Sequence, residues 1–83
     1  MEYSETWAVS LERIERFFLE QPDVESAADG FQYKSCRIRL TALPSRPLGP
    51  VTVPYTLVEM SGSDEDMETI HRRFFLRFVS AGG

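Results

Sequence analysis

The stretch SDEDMETIHRRFFLRF, residues 63–78, has the clearest local pattern in the chain. Ser63 is a typical N-cap residue, and Asp66 three positions later is close to the acidic half of a capping box. Acidic side chains lie at the start of the stretch and arginines toward its end, as the helix dipole favours. Its apolar stripe at helical spacing consists of Met67, Ile70, Phe74 and Phe78. The stretch therefore predicts a helix whose stripe must pack against a second layer.

The segments before this helix predict that the second layer is a sheet. Residues 36–43, CRIRLTAL, alternate with period two, so one face is apolar and the other carries Arg37 and Arg39. Such a pattern is typical of an antiparallel sheet with one face in water. Residues 31–35 predict a neighbouring strand, and residues 51–62, VTVPYTLVEMSG, predict the last one.

Prolines interrupt this part of the chain. Residues 44–50, PSRPLGP, hold three prolines and a glycine in seven residues, which predicts a rigid loop or a hairpin turn. Pro54 removes a hydrogen-bond donor from the last strand. We therefore expect that strand to be an edge or to bulge at Pro54.

The N-terminal third predicts a strand followed by a helix. Residues 3–9, YSETWAV, alternate with period two and predict a short first strand. A helix remains the alternative there, because helical spacing also aligns Trp7, Leu11, Ile14 and Phe18. Ser10 is a plausible N-cap for a helix that runs to Gln21, before Pro22. A turn follows, in which residues 24–27 form a short strand at most.

The element order is thus strand, helix, about four strands and helix. This order predicts an α+β fold in which two helices pack on one face of an antiparallel sheet of about four to five strands. We expect residues 1–83 to form a single domain and residues 80–83 to be a flexible tail.

Composition narrows the class of protein. The chain has 83 residues, of which 42% are apolar and 27% charged, as in an ordinary globular domain. Its single cysteine excludes an internal disulfide and fits a reducing compartment, so we expect a cytoplasmic protein. No apolar run approaches the roughly 20 residues of a membrane span, and the acidic N-terminus lacks the pattern of a secretory signal. We expect no membrane association and a monomer.

Charge is unevenly distributed along the chain. The net charge is −4, yet residues 30–58 hold four basic residues and no acid. The basic residues of this middle segment are Lys34, Arg37, Arg39 and Arg46. An overall acidic chain is a poor binder of nucleic acid, and we expect none. The basic side chains either form a sheet face that docks an acidic protein partner or form a solvated face.

The sequence offers no catalytic constellation. Cys36 and His71 lie on different elements, and Cys36 is expected to be a small buried side chain while His71 flanks the core stripe. Two such residues are too few for a structural zinc site, and no glycine-rich phosphate loop is present. We therefore expect no enzyme activity, no catalytic residue, no metal and no cofactor.

The chain ends in Gly82 and Gly83. Two consecutive glycines do not sustain a helix, so one interpretation is that they terminate the last helix. A tail without side chains can also enter the narrow channel of an enzyme that adenylates a protein C-terminus. Both interpretations of Gly82 and Gly83 stay open.

Three segments together resemble a known family. They are SLERIERFFLEQ (residues 10–21), RPLGPVTVPYTLVEMSG (residues 46–62) and IHRRFFLRFVSAGG (residues 70–83). The chain is similar, over residues 3–83, to the C-terminal domain of MoaD-related proteins, which is fused in some bacteria behind a module like the sulfur-carrying subunit of molybdopterin synthase. The resemblance implies a TBP-like β-α-β4-α arrangement and a domain whose own function is not established.

With the resemblance, the expected function is that of a non-enzymatic accessory domain. It would bind a protein of molybdenum-cofactor biosynthesis or sulfur transfer: the adenylating enzyme, the large synthase subunit or a separate sulfur carrier. The first alternative is that Gly83 is itself adenylated and thiocarboxylated. The second is a small-ligand site between the sheet and the helices.

Overall fold

The computed structural model of the protein describes residues 2–79. Five strands and two helices follow one another along the chain: β1 (Glu2–Trp7), α1 (Leu11–Leu19), β2 (Glu25–Ala27), β3 (Gly30–Tyr33), β4 (Cys36–Leu48), β5 (Val51–Ser61) and α2 (Asp64–Phe78). The predicted order β-α-β4-α is confirmed, and residues 3–7 are strand rather than helix.

The strands form one antiparallel sheet in the spatial order β1-β5-β4-β3-β2. Both helices cover the same face of this sheet, as predicted. The core between the layers contains aromatic side chains from both helices, and Phe17 and Phe18 of α1 lie against Phe74 of α2. The opposite face of the sheet carries no helix of the described chain; we call it the open face.

Each helix begins where its cap predicts. The hydroxyl groups of Ser10 and Ser63 accept hydrogen bonds from backbone N–H groups three residues later in α1 and α2. The predicted capping box at α2 is wrong in one respect. The backbone N–H of Ser63 donates to the hydroxyl of Ser35 and not to Asp66, whose carboxylate accepts hydrogen bonds from the hydroxyl and the amide of Ser35, at 2.6 Å and 3.0 Å. Ser35 thereby ties the β3–β4 turn to the start of α2.

Of the two interpretations of residues 44–50, the rigid loop is wrong and the hairpin turn is confirmed, although the turn is shorter than the segment. Strands β4 and β5 continue through most of this segment, and Leu48 is still paired with Val51. The chain reverses in the two residues Gly49 and Pro50 alone. At Pro54 the strand β5 is an edge, as predicted, because its pairing with β1 ends at Thr56, whereas the register shift between Leu43 and Arg46 places the extra residue in β4.

Candidate functional site

A two-stranded projection is the most distinctive surface feature of the described residues. The last pair between β1 and β5 is Trp7 with Thr56, and the last between β3 and β4 is Gly30 with Arg39. Residues 43–55 lie beyond both points, so in the sheet they pair only with one another. We call residues 43–55 the arm. It accounts for the elongated shape of the described chain, which measures 41 × 26 × 24 Å.

The sequence forms the arm through its turn. Gly49 has a φ of +63°, which glycine adopts without steric cost. A positive φ at the first central position, followed by a proline whose φ is fixed near −65°, suits a type II′ turn. Turns of this type match the twist of two flanking antiparallel strands, so Gly49 and Pro50 favour a tight hairpin over an open loop.

The other prolines occupy positions that the ladder tolerates. A two-residue turn makes Leu48 and Val51 a hydrogen-bonded pair. Since ladder bonds alternate along each strand, the nitrogens of Pro47 and Pro54 then point away from the partner strand. Pro44 lies at the register shift, opposite Pro54. The prolines therefore leave the hairpin intact and remove donors from its outer edges.

The two faces of the arm differ in chemistry. By the strand register, the face of the arm that continues the open face of the sheet carries Leu43, Arg46, Leu48, Val51, Val53 and Tyr55. The other face carries mainly prolines and threonine. At the tip, Leu48 is 71% exposed and Val51 is 58% exposed. We call the first of these faces the apolar face of the arm.

Arg46 is the predicted site residue that lies on the arm. Its guanidinium carbon is 5.7 Å from the centre of the Tyr55 ring, within reach of a cation–π contact. No ion pair joins Arg46 to a carboxylate anywhere in residues 2–79. Its charge therefore stands alone in an apolar surface.

Arg37 and Arg39 lie at the opposite end of the open face. Acidic side chains of the β2–β3 turn and of β5 lie beside Arg39: its Nε is 3.1 Å from a carboxylate oxygen of Asp29, and Glu59 is its cross-strand neighbour. Together these residues line a shallow cleft of about 330 Å³. The cationic face predicted from β4 is therefore offset by acids of its neighbours, which the pattern of one strand could not reveal.

Lys34 is not part of this face. It lies in the β3–β4 turn with a φ of 51°, and its Nζ is 5.4 Å from the centre of the Tyr33 ring. Tyr33 belongs to the core on the helix side of the sheet. The predicted patch is thus corrected: its four residues lie at three separate places.

Cys36 and His71 do not form a site. Cys36 is fully buried, as predicted, and burial raises the pKa of its thiol. The His71 ring lies 4.4 Å from that of Tyr3, in a cleft of about 360 Å³ that Cys36 does not line. Burial also raises the pKa of Tyr3 to about 12, and Nε2 of His71 is buried without a hydrogen-bond partner among the described residues.

Two structural features are absent from the described part of the chain. Residues 2–79 contain no group of three or more histidine, cysteine, aspartate or glutamate side chains placed to hold a metal ion. No helix in the same range is long and apolar enough to cross a membrane. The predicted tail, with Gly82 and Gly83, lies outside the described residues.

Comparison with known proteins gives no family for the chain. No family model matches it, and neither a curated protein nor a solved structure is significantly similar to it.

Proposed function

We propose that this chain is a non-enzymatic accessory domain that binds another protein through its arm. The pathway we propose is molybdenum-cofactor biosynthesis or a related sulfur transfer in the cytoplasm. The arm supports the proposed binding of another protein, and the resemblance of the three sequence segments supports the proposed pathway.

The exposed tip of the arm is the observation behind this proposal. A two-stranded hairpin without a third strand or a covering helix is marginally stable in water. Leu48 and Val51 nevertheless leave most of their apolar surface in solvent. Exposed apolar surface that does not stabilise the fold is typical of a protein interaction site. A partner that covers the tip removes this surface from water.

The partner test measures affinity for three proteins: the adenylating enzyme, the large subunit of molybdopterin synthase and its sulfur carrier. We expect at least one to bind the full chain. Val51→Asp should weaken that binding at least about tenfold, because it places a charge in the apolar contact. Leu19→Asp is the matched control, since Leu19 is 66% exposed on α1, away from the arm.

Two results contradict the proposal. Equal loss of affinity in both aspartate variants would mean that the arm is not the contact surface. Absence of binding to all three proteins would remove the proposed pathway but not an arm-dependent interaction with another protein.

A small-ligand site is the second candidate, and the unpartnered Nε2 of His71 favours it. The cleft beside this ring is lined by Tyr3, Met67 and three acidic residues. A ligand with a hydrogen-bonding group would satisfy Nε2. Histidine NMR signals of His71 that stay unchanged in a screen of small polar compounds would argue against such a site.

Modification of Gly83 stays a prediction from sequence. Intact mass after incubation with the adenylating enzyme, ATP and a sulfur donor tests it. Replacement of one oxygen by sulfur would make the chain a sulfur carrier. An unchanged mass, with the enzyme active on its usual carrier, would leave Gly83 as a chain end.

A further inference from the structure

We propose that the apolar face of the arm receives an amphipathic helix of the partner, and that a carboxylate on this helix pairs with Arg46. This inference rests on the proposed function, because it specifies what the arm binds.

Addition of a strand is disfavoured by the edges of the arm. A strand that joins a sheet needs outward-facing N–H donors on the edge that it meets. At Pro54 on β5 and Pro47 on β4 the outward position has no N–H, and Pro44 removes another donor at the register shift. Each edge therefore lacks donors at its proline positions, although Thr52 keeps an outward N–H on β5, and this favours recognition through the side chains of a face.

The dimensions of the apolar face suit a helix. Two strands about 4.8 Å apart, with their side chains, present a surface about 10 Å wide, which is close to the diameter of an α-helix. From Leu57 to Val51 the face extends six residues, or about 20 Å, the length of a helix of about 14 residues. The same sheet already packs two helices of its own chain on its other face.

Charge defines the polar contact. Arg46 is the only charged residue in residues 40–58, and it is half-way along an otherwise apolar face. A guanidinium that loses water on binding needs a carboxylate, since an unpaired buried charge is costly. The partner helix should therefore carry an apolar stripe with one aspartate or glutamate within it.

The test selects binders for the full chain from two displayed peptide libraries. One library holds helix-forming peptides of about 14 residues, and the other holds extended peptides of equal length. Each is selected in parallel against the wild-type chain and against Arg46→Glu. We expect the helical library to give binders with an acidic residue in the stripe for the wild type and a basic residue there for Arg46→Glu.

Affinity measurements then locate the contact. The selected helical peptides should bind Val51→Asp at least about tenfold more weakly than the wild type, and Leu19→Asp should bind them unchanged. Measurement of mass in solution over a range of concentrations accompanies the selection. We expect a monomer, because the face is meant for a different chain.

Three outcomes overturn the inference. Arm-dependent binders that come only from the extended library would show that the arm binds strands. Helical binders whose charge does not change with Arg46→Glu would remove the proposed ion pair. A dimer that Val51→Asp dissociates would show that the face binds a second copy. The first two outcomes leave the proposed function unchanged. The partner test, which measures binding to the pathway proteins, is the separate test of that function.

Discussion

Thr56 is a polar side chain in an otherwise apolar core. It is fully buried on β5, and its hydroxyl donates a 2.7 Å hydrogen bond to the carbonyl oxygen of Val9. This carbonyl belongs to the link between β1 and α1. The bond therefore attaches that link to the centre of the sheet, just where the arm begins.

Thr56→Val tests this attachment. Valine has nearly the same shape but cannot donate, so the Val9 carbonyl loses its partner. We expect the free energy of unfolding to fall by about 1–3 kcal/mol. Thr56→Ser, which keeps the donor, should cost less than Thr56→Val in the same denaturant titration. Equal losses would mean that packing of the γ-methyl group matters more than the hydrogen bond.

Gly30 is a second position where a change of one atom should strongly affect stability. A Cβ at Gly30 would lie 1.9 Å from the carbonyl oxygen of Ile38, a backbone atom that cannot rotate away. Gly30→Ala must therefore displace β3 from β4, and we expect a loss of roughly 2–4 kcal/mol in unfolding free energy.

Gly49→Ala is the matched control for this prediction. A Cβ at Gly49 meets no atom within 4 Å, and its cost is the positive φ alone, about 1–2 kcal/mol. A larger loss at Gly49 than at Gly30 in urea unfolding would contradict the close approach of β3 and β4.

Among the elements, α2 shows how a local pattern and a distant contact combine. Its cap at Ser63 could be read from sequence because a cap is made by residues three apart. The bond from Ser35 to Asp66 could not, since it joins residues far apart in the chain. The hydroxyl of Ser35, and to a smaller extent its amide, donate hydrogen bonds that lower the pKa of the Asp66 carboxyl.

This lowered pKa predicts how stability depends on pH. The carboxyl of Asp66 binds a proton less readily in the folded state than in the unfolded state, where its pKa is near 3.8. Its contribution to stability is thus complete above that value and is lost as the pH falls through the lower folded-state pKa. Asp66→Asn should therefore be less stable than the wild type at pH 7, and the difference should shrink in denaturant titrations below pH 4.

Ser35→Ala provides the check on this assignment. Ser35→Ala removes the strongest hydrogen-bond donor to the Asp66 carboxylate. Asp66→Asn should therefore lower stability less in the Ser35→Ala background than in the wild type. Strict additivity of the two substitutions would place the origin of the pH dependence elsewhere.

The strands divide into those that sequence predicts and those that it does not. Alternation of apolar and polar residues located β4 up to Leu43, and the caps located both helices. Residues 44–48 of β4 were not predicted as strand, because the prolines of this segment are typical of loops and turns. A usable signal was present in β5, which was predicted as strand: Val51, Val53, Tyr55 and Leu57 keep the period of two through Pro54, so its partner strand could be expected to extend equally far. The basic face was overestimated because the acids that offset Arg39 come from other parts of the chain.

The described residues form a layered core and an arm that lies outside it. Buried side chains of both helices and of one sheet face form the core, and none of its members lies in residues 43–55. Folding should therefore depend on the first part, and recognition, as we propose it, on the second.

Shortening the arm tests this division. Replacement of residues 44–54 by Asn-Gly would join Leu43 to Tyr55, which already face each other, through a turn suited to hairpins. We expect the shortened chain to unfold cooperatively with a free energy within about 1 kcal/mol of the wild type. It should lose the affinity for the partner that Val51→Asp weakens.

A large drop in the unfolding free energy of the shortened chain would show that the arm supports the core. Retained affinity would show that the partner contacts another surface. Leu19→Asp again serves as the control for a surface change outside the arm.

An arm that lies outside the core also shapes how such a domain changes over generations. Most substitutions are eliminated because they lower stability. Replacements at Leu48 or Val51 are less often eliminated for this reason, since neither side chain packs in the core. A lineage can therefore alter the surface of the arm in single steps without passing through an unstable intermediate. The separation of arm and core thus lets the surface of the arm change while the fold is kept.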